Sequence, residues 1–228
     1  MSIKDNLEIV LEEIEKAKSH SLTGEDVRLI AVSKNHSIKS ILEAHRYGIK
    51  DIGENRVQEL TSKMEELDVE LNYHMIGSLQ RNKVKYIYDK VELIHSLDRM
   101  RLAREIEKRA SRDNLDVNCL VQINIGKEAS KEGLDYSQVE QFIYDLESFD
   151  HVKIKGLMAI LPYSEDEQYL RSLFRKMYKL YEKLKEEGYQ NTTMNYLSMG
   201  MSGDYKLAIE EGSNMVRIGT KIFGARAY

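Results

Sequence analysis

A lysine, an arginine and two runs of small residues are the parts of this chain that could do chemistry. Lys34 closes the apolar run LIAVS at residues 29–33. A lysine that ends an apolar strand is desolvated on one side, which lowers its pKa and leaves an amine able to attack a carbonyl. The same position also suits a lysine that snorkels to water, so position alone leaves both readings open. Near the other end of the chain, a short apolar strand runs into Gly200, Ser202, Gly203 and Asp204, which open an amphipathic helix from Tyr205 to Glu211. A second apolar strand ends in Arg217, Ile218, Gly219 and Thr220. Backbone N–H groups at a helix N-terminus have no intrahelical partner and lie at the positive end of its dipole, so such an opening suits a phosphate.

These residues need elements to bring them together. Apolar runs predict strands over 29–34, 49–55, 73–78, 91–97, 117–125 and 152–161, and the two strands near the C-terminus make eight. Amphipathic stretches predict the helices between them. Ser37 caps one that stops at Gly48, a second runs from Arg56 to Leu67, and a third is basic, with Lys83 and Lys85. Asp98 caps a fourth, Asp135 opens a fifth, and Ser164 to Glu167 reads as the capping box of a long helix ending at Gly188. A further helix over 4–20 precedes the first strand, with Leu7, Val10, Leu11 and Ile14 on one stripe. The strands are apolar throughout rather than alternating, as parallel strands covered on both faces are. The expectation is an α/β fold, a single (β/α)8 TIM-type barrel with an extra N-terminal helix, one domain over 1–228. A doubly wound open sheet is the alternative and uses the same elements. Pro162, the only proline, falls in the loop after the sixth strand, where it removes no ladder bond.

Composition excludes several function classes. The chain has 228 residues, is 42% hydrophobic and 32% charged, and carries a net charge of −4. That balance gives no basic footprint for nucleic acid, and no apolar run approaches the length of a membrane span. The N-terminus is amphipathic with scattered acids, unlike a signal peptide. One cysteine, Cys119, rules out an internal disulfide and a cysteine metal cluster, and its apolar strand predicts a buried, inert thiol. A cytoplasmic protein is the expectation.

Barrel enzymes and binding proteins place their sites at the C-terminal ends of the strands, often with phosphate after the seventh and eighth. Those ends here carry Lys34, Glu54 and Asn55, Ile76 to Ser78, Ser96, Asn124, Ser198 to Ser202 and Arg217 to Thr220. No cluster of carboxylates or histidines suggests a metal. His74 and His95 fall two or three residues before their strand ends and read as core histidines. A lysine amine and a phosphate cradle in one mouth fit an aldehyde bearing a phosphate, and pyridoxal phosphate (PLP) is the candidate.

The chain resembles the pyridoxal phosphate homeostasis protein family, whose barrel is similar to the N-terminal domain of alanine racemase. The resemblance covers nearly the whole chain. It is carried by LIAVSK (29–34), IGENRVQE (52–59), YHMIGSLQRNKVK (73–85), HSLDR (95–99), VQINIGKEASKEGL (121–134), IKGLMAI (154–160), LSMGMSGDY (197–205) and VRIGTKIFG (216–224). Two departures are Tyr73, where the family usually has Trp, and Ser78, where it often has His. The resemblance implies that Lys34 is the Schiff-base lysine. It implies that Ser198, Met199 and Ser202, with the backbone of Gly219 and Thr220, hold the phosphate. Arg217 would face the pyridine nitrogen, Asn55 would line the ring pocket, and Ile76 and Ile218 complete the cofactor-binding set. An arginine has only donors, so it pairs with an unprotonated ring nitrogen, and such a ring is a weak electron sink.

The expected function is therefore a PLP carrier or reservoir in vitamin B6 homeostasis, with indirect effects on amino-acid metabolism, no catalytic residue, PLP-dependent apoenzymes as recipients, and a monomeric state. An amino-acid racemase of low activity is the alternative. Racemisation wants a base on each face of the substrate carbon. In alanine racemase the second base is a tyrosine from the other subunit, beyond the barrel domain, and this chain ends at Tyr228 without that domain. Tyr163 and Tyr205 fall near the mouth, where helix-face packing is the expectation. A third reading, an interaction protein using Lys83 and Lys85, rests on two lysines that read as a solvated face.

Overall fold

A computed structural model describes residues 2–128 and 131–224. Ala129, Ser130 and Tyr228, on which parts of the sequence reading fall, lie outside the described residues. Eight parallel strands close on themselves: β1 (Arg28–Val32), β2 (Asp51–Glu54), β3 (Asn72–Met75), β4 (Leu93–Leu97), β5 (Val117–Ile123), β6 (Val152–Ala159), β7 (Thr192–Ser198) and β8 (Met215–Ile218). The parallel pairing of β1 with β8, from Arg28 opposite Met215 to Ala31 opposite Ile218, shuts the sheet and removes the open-sheet alternative.

The connections are α2 (Ile38–Arg46), α3 (Val57–Glu66), α4 (Met100–Asp113), α5 (Val139–Leu146), α6 (Glu167–Glu187) and α7 (Tyr205–Glu210), with α8 (Thr220–Phe223) after the last strand. The N-terminal α1 (Ile3–Lys18) is capped by Ser2 and Asp5 in a capping box. The basic helix expected after β3 is a 3-10 turn, Arg81–Tyr86. Only Val84 of that segment is buried, so it has too narrow an apolar face to hold a longer helix.

Two caps differ from the sequence reading. Asp98 does not cap α4: Arg99 occupies that position without a side-chain cap, and Asp98 pairs with it. Asp166, not Ser164, caps α6 by accepting from the Tyr169 N–H at 3.0 Å. The Ser164 hydroxyl instead accepts from the Asp166 N–H at 3.1 Å, shaping the approach to the helix.

Strand side chains alternate between the two faces of the wall. The outward set, including Ile94, Cys119, Val121, Ile154 and Leu157, packs against the helices in one large core. Cys119 is fully buried and burial raises its pKa, so the thiol is inert. The inward set includes Ile30, Leu93, Leu120, Met158 and Met215, a cluster that contains no helix residue. The same alternation carries Asp51, His74, His95, Ser198 and Arg217 inward, so a polar string runs through an interior that barrels usually fill with branched apolar side chains.

Candidate functional site

A cavity of about 620 Å³ opens at the C-terminal ends of the strands. Its charged and polar wall includes Lys34, Asn55, Gln122, Lys131 and Arg217. Val32, Ile76 and Ile160 give it an apolar side, and Ser202, Gly203, Gly219 and Thr220 form one rim.

Lys34 sits in the turn after β1, half-buried, two residues beyond Val32. The turn is clamped on both flanks. Ser33 donates its hydroxyl to Glu54 Oε1 at 2.6 Å, and its carbonyl accepts from Lys63 Nζ at 2.7 Å. Beyond the lysine, the Asn35 N–H donates to Glu59 Oε1 at 2.6 Å, with Asn35 at a φ of 61°. Lys63 also donates to Glu54 and Glu59, at 2.6 and 2.7 Å, so one buried ammonium joins β1, β2 and α3 beneath Lys34. Burial raises the pKa of Glu54, opposed by the bonds from Lys63 and Ser33.

The rim after β7 turns at Gly200, where φ is +93° and a Cβ would sit 2.7 Å from the Ala208 Cβ; only glycine meets both conditions. Asp204 accepts from the Met201 N–H at 2.7 Å and holds the turn that presents Ser202 and Gly203. The Ser202 hydroxyl accepts from the Gly219 N–H at 3.4 Å, which links this turn to the one after β8. Gly77 lets the loop after β3 pass the Asn55 backbone, where a Cβ would lie 2.4 Å from the Asn55 carbonyl oxygen.

Arg217 is buried among uncharged acceptors. Nη1 donates to the carbonyl and the hydroxyl of Ser198, at 2.8 and 2.6 Å, and Nη2 donates to the Ala159 carbonyl at 2.8 Å. Burial lowers its pKa to about 10, with Asp204 opposing, so the guanidinium stays charged at neutral pH. Its Nε–H and one Nη2 hydrogen make no bond among the described residues.

The cavity thus brings together Lys34, Asn55, Ile76, Ser202, Arg217, Gly219 and Thr220. Ser198, Met199 and Ile218 are fully buried and do not line it. Ser198 holds Arg217. The Met199 side chain is in the outer core, and its N–H donates to Met215 in the β7–β8 pairing. Ile218 packs toward α1. Tyr163 is 92% exposed and Tyr205 is buried with its hydroxyl on Glu13, and neither lines the cavity. Gln122, Lys131 and Ile160 line it without having been singled out; inward alternation along β5 and β6 was the signal for Gln122 and Ile160. Among the described residues no group of three or more His, Cys, Asp or Glu could hold a metal, and no helix is long and apolar enough to cross a membrane.

The arrangement offers a primary amine, a hydroxyl-and-glycine rim, a buried cationic donor and an apolar side. It could hold a flat ring that carries an aldehyde and a phosphate.

Comparison with known proteins points the same way. The family model for the alanine racemase N-terminal domain matches residues 6–227. A protein of Aquifex aeolicus named pyridoxal phosphate homeostasis protein is 45% identical over 231 residues, covering 100% of both chains. The solved structure of PipY from Synechococcus elongatus PCC7942 with PLP bound is 31% identical, covers 98% of this chain and 100% of its own, and superposes with a TM-score of 0.85. Alanine racemase of Clostridium difficile 630, in complex with cycloserine, shares the fold at a TM-score of 0.76 and 16% identity; 60% of that chain is covered.

Proposed function

We propose, from the premise that this chain belongs to the alanine racemase N-terminal domain family and to the pyridoxal phosphate homeostasis proteins within it, that it binds PLP through Lys34 and acts in vitamin B6 homeostasis as a carrier or reservoir. When bound, PLP supplies an aldehyde that condenses reversibly with a primary amine. The observation that carries the reading is the meeting of Lys34, Arg217 and the Ser202–Gly219 rim in one cavity.

The donor set fits the group. Lys63, Glu54 and Glu59 hold the turn that presents the Lys34 amine. Ser202 and Thr220 offer hydroxyls beside the glycine backbone of the rim, which suits a phosphate. Arg217 keeps two N–H groups for an acceptor and, among the described residues, bonds no carboxylate, which suits an unprotonated ring nitrogen. Val32, Ile76 and Ile160 offer apolar surface to the ring.

Binding rather than turnover is the role these residues support. An arginine at the ring nitrogen keeps the ring a weak electron sink, and no tyrosine among the described residues lines the cavity to act as an opposite-face base. We further infer a single barrel domain over 1–228, a cytoplasmic monomer, PLP-dependent apoenzymes as recipients, and an indirect influence on amino-acid metabolism.

Borohydride reduction of the PLP-loaded protein, followed by peptide mass mapping, tests the reading. A pyridoxyl group on the peptide containing Lys34, absent from a Lys34→Ala variant that keeps its thermal melting point within a few degrees, is expected. A protein that remains unmodified after incubation with PLP would sink the proposal. Interconversion of D- and L-alanine with turnover would instead favour the racemase alternative.

A further inference from the structure

The inward polar string is continuous. Asp51 Oδ1 lies 3.0 Å from His74 Nε2, and His74 Nδ1 lies 3.1 Å from His95 Nε2. His95 Nδ1 lies 3.3 Å from the Ser198 hydroxyl, which lies 2.6 Å from Arg217 Nη1. The two imidazoles meet edge to face at 75°, and both are fully buried.

With both imidazoles neutral, donor and acceptor chemistry gives this string one direction, because Asp51 only accepts and Arg217 only donates. An arginine only donates, so Ser198 Oγ accepts from Nη1. The hydroxyl keeps its own proton to donate, and with both rings neutral that proton goes to His95 Nδ1. A neutral imidazole has one donor and one acceptor nitrogen, so His95 donates from Nε2 to His74 Nδ1. His74 in turn donates from Nε2 to Asp51, which accepts only. Asp51 is anchored at the far end, because the same oxygen accepts from Arg28 Nε and Nη2, at 3.1 and 2.6 Å, and from Asn72 Nδ2 at 3.1 Å. Every proton has a place when both histidines are neutral.

Burial lowers the pKa of both rings. For His95 the neighbouring His74, Arg217 and Arg28 disfavour a positive charge further; for His74 the Asp51 carboxylate opposes the effect of burial. Burial pushes the Asp51 carboxyl up, but the bonds from His74 and Arg28 outweigh it and hold it at about 2.

We infer that His74 and His95 are positioning residues: a one-way hydrogen-bond relay from Asp51 fixes Ser198 as an acceptor for Arg217 and so aims the remaining guanidinium N–H groups at the ring nitrogen of bound PLP. The aim rests on the functional reading above; the relay itself does not. Both Nη1 hydrogens are consumed on Ser198 and one Nη2 hydrogen on Ala159, which leaves the Nε side to face the cavity. Without His95 the serine proton must find another acceptor, and rotation of the hydroxyl removes one of the three bonds that hold the guanidinium.

The first test uses the unaltered apo protein labelled with 15N-histidine. Long-range 15N–1H correlation at neutral pH should show both His74 and His95 neutral and protonated at Nε2. Either ring charged, or protonated at Nδ1, overturns the relay. The second test uses PLP-loaded variants. His95→Phe should keep the Lys34 adduct but release PLP about tenfold faster and shift its visible absorption band. His95→Gln, which keeps a donor and an acceptor, should recover most of both. In an Arg217→Gln background, His95→Phe should add no further change. Unchanged release and absorption in His95→Phe, or a full additional effect in the Arg217→Gln background, would overturn the inference. Failure of the wild type to take up PLP would strike the functional reading instead, so the two failures are separable.

Discussion

Ser202 contributes to the cavity in two ways. It lines the cavity, and its hydroxyl accepts from the Gly219 N–H, so it stands where a phosphate could be met while tying together the turns after β7 and β8. A hydrogen bond to a charged group contributes about 1.5–3 kcal/mol. Ser202→Ala should therefore raise the PLP dissociation constant roughly ten- to hundredfold, measured by fluorescence titration, with the Lys34 adduct still trapped by borohydride. Met199 makes the opposite prediction. Its side chain is fully buried in the outer core, and truncating a buried methionine costs about 2–5 kcal/mol. Met199→Ala should lower the urea midpoint sharply while the protein that remains folded binds PLP with unchanged affinity. Serine and glycine in this stretch signalled the rim in the sequence, but three residues read as one binding run divide by direction. Ser198 points into the barrel, Met199 points out to the core, and Ser202 lies beyond the Gly200 turn. Where the strand ends, and which N–H the ladder has already consumed, depends on the partner strand β8, and nothing local to 197–205 states it.

At the scale of elements, the Lys34 turn depends on α3 as much as on β1. Lys63 reaches from α3 to Ser33, Glu54 and Glu59, and its side chain is 8% exposed against 1% for Glu54. Removing one partner of a buried pair strands the other charge, at a cost of about 3–5 kcal/mol. Lys63→Met should therefore destabilise the fold by that amount in urea unfolding. Adding Glu54→Leu should restore much of the loss, because apolar replacement of a buried pair is often neutral. Attachment of PLP to Lys34 should be slower in both variants than in the wild type, because the Ser33 clamp is gone. Equal attachment rates in the double variant and the wild type would show that the cluster serves stability alone. The elements themselves were legible because burial writes them locally: apolar strands, amphipathic helices, Ser37 as a cap, Gly188 as a stop. The clamp was less so, since a lysine on a helix reads as solvated until the fold turns it inward. The start of α6 lies two residues later than the serine suggests, because the Ser164 hydroxyl takes the Asp166 N–H ahead of the helix and leaves the Tyr169 N–H to Asp166.

For the whole molecule, the N-terminal helix closes the structure on the side of the rim formed after β7 and β8. Leu7, Val10 and Ile14 of α1 pack with Tyr205, Ile209, Ile218 and Ile222. Asn6 donates to the Ile222 carbonyl at 2.9 Å, and Glu13 accepts from Tyr205, from Lys206 at 3.3 Å and from Lys221 at 2.9 Å. Periodicity predicted this helix, but its partners lie some 190 residues away and the sequence does not name them. One carboxylate thus ties α1 to both short helices that follow the rim. The Tyr205 hydroxyl and then Lys221 outweigh burial and hold the Glu13 carboxyl at about 2, below its ordinary 4.5. A carboxyl depressed in the folded state stabilises fully above its ordinary value, and that contribution is lost as pH falls from about 4.5 to about 2. Glu13→Gln should therefore melt below the wild type at pH 7, release PLP faster there, and approach the wild-type melting point as both are taken to pH 3. Asp51 also titrates toward pH 2, but it does so in both proteins, so the difference between their melting curves isolates Glu13. A gap in melting temperature that stays constant from pH 7 to pH 3 would mean that Glu13 acts through shape rather than charge. The rim would then be held to α1 by packing alone.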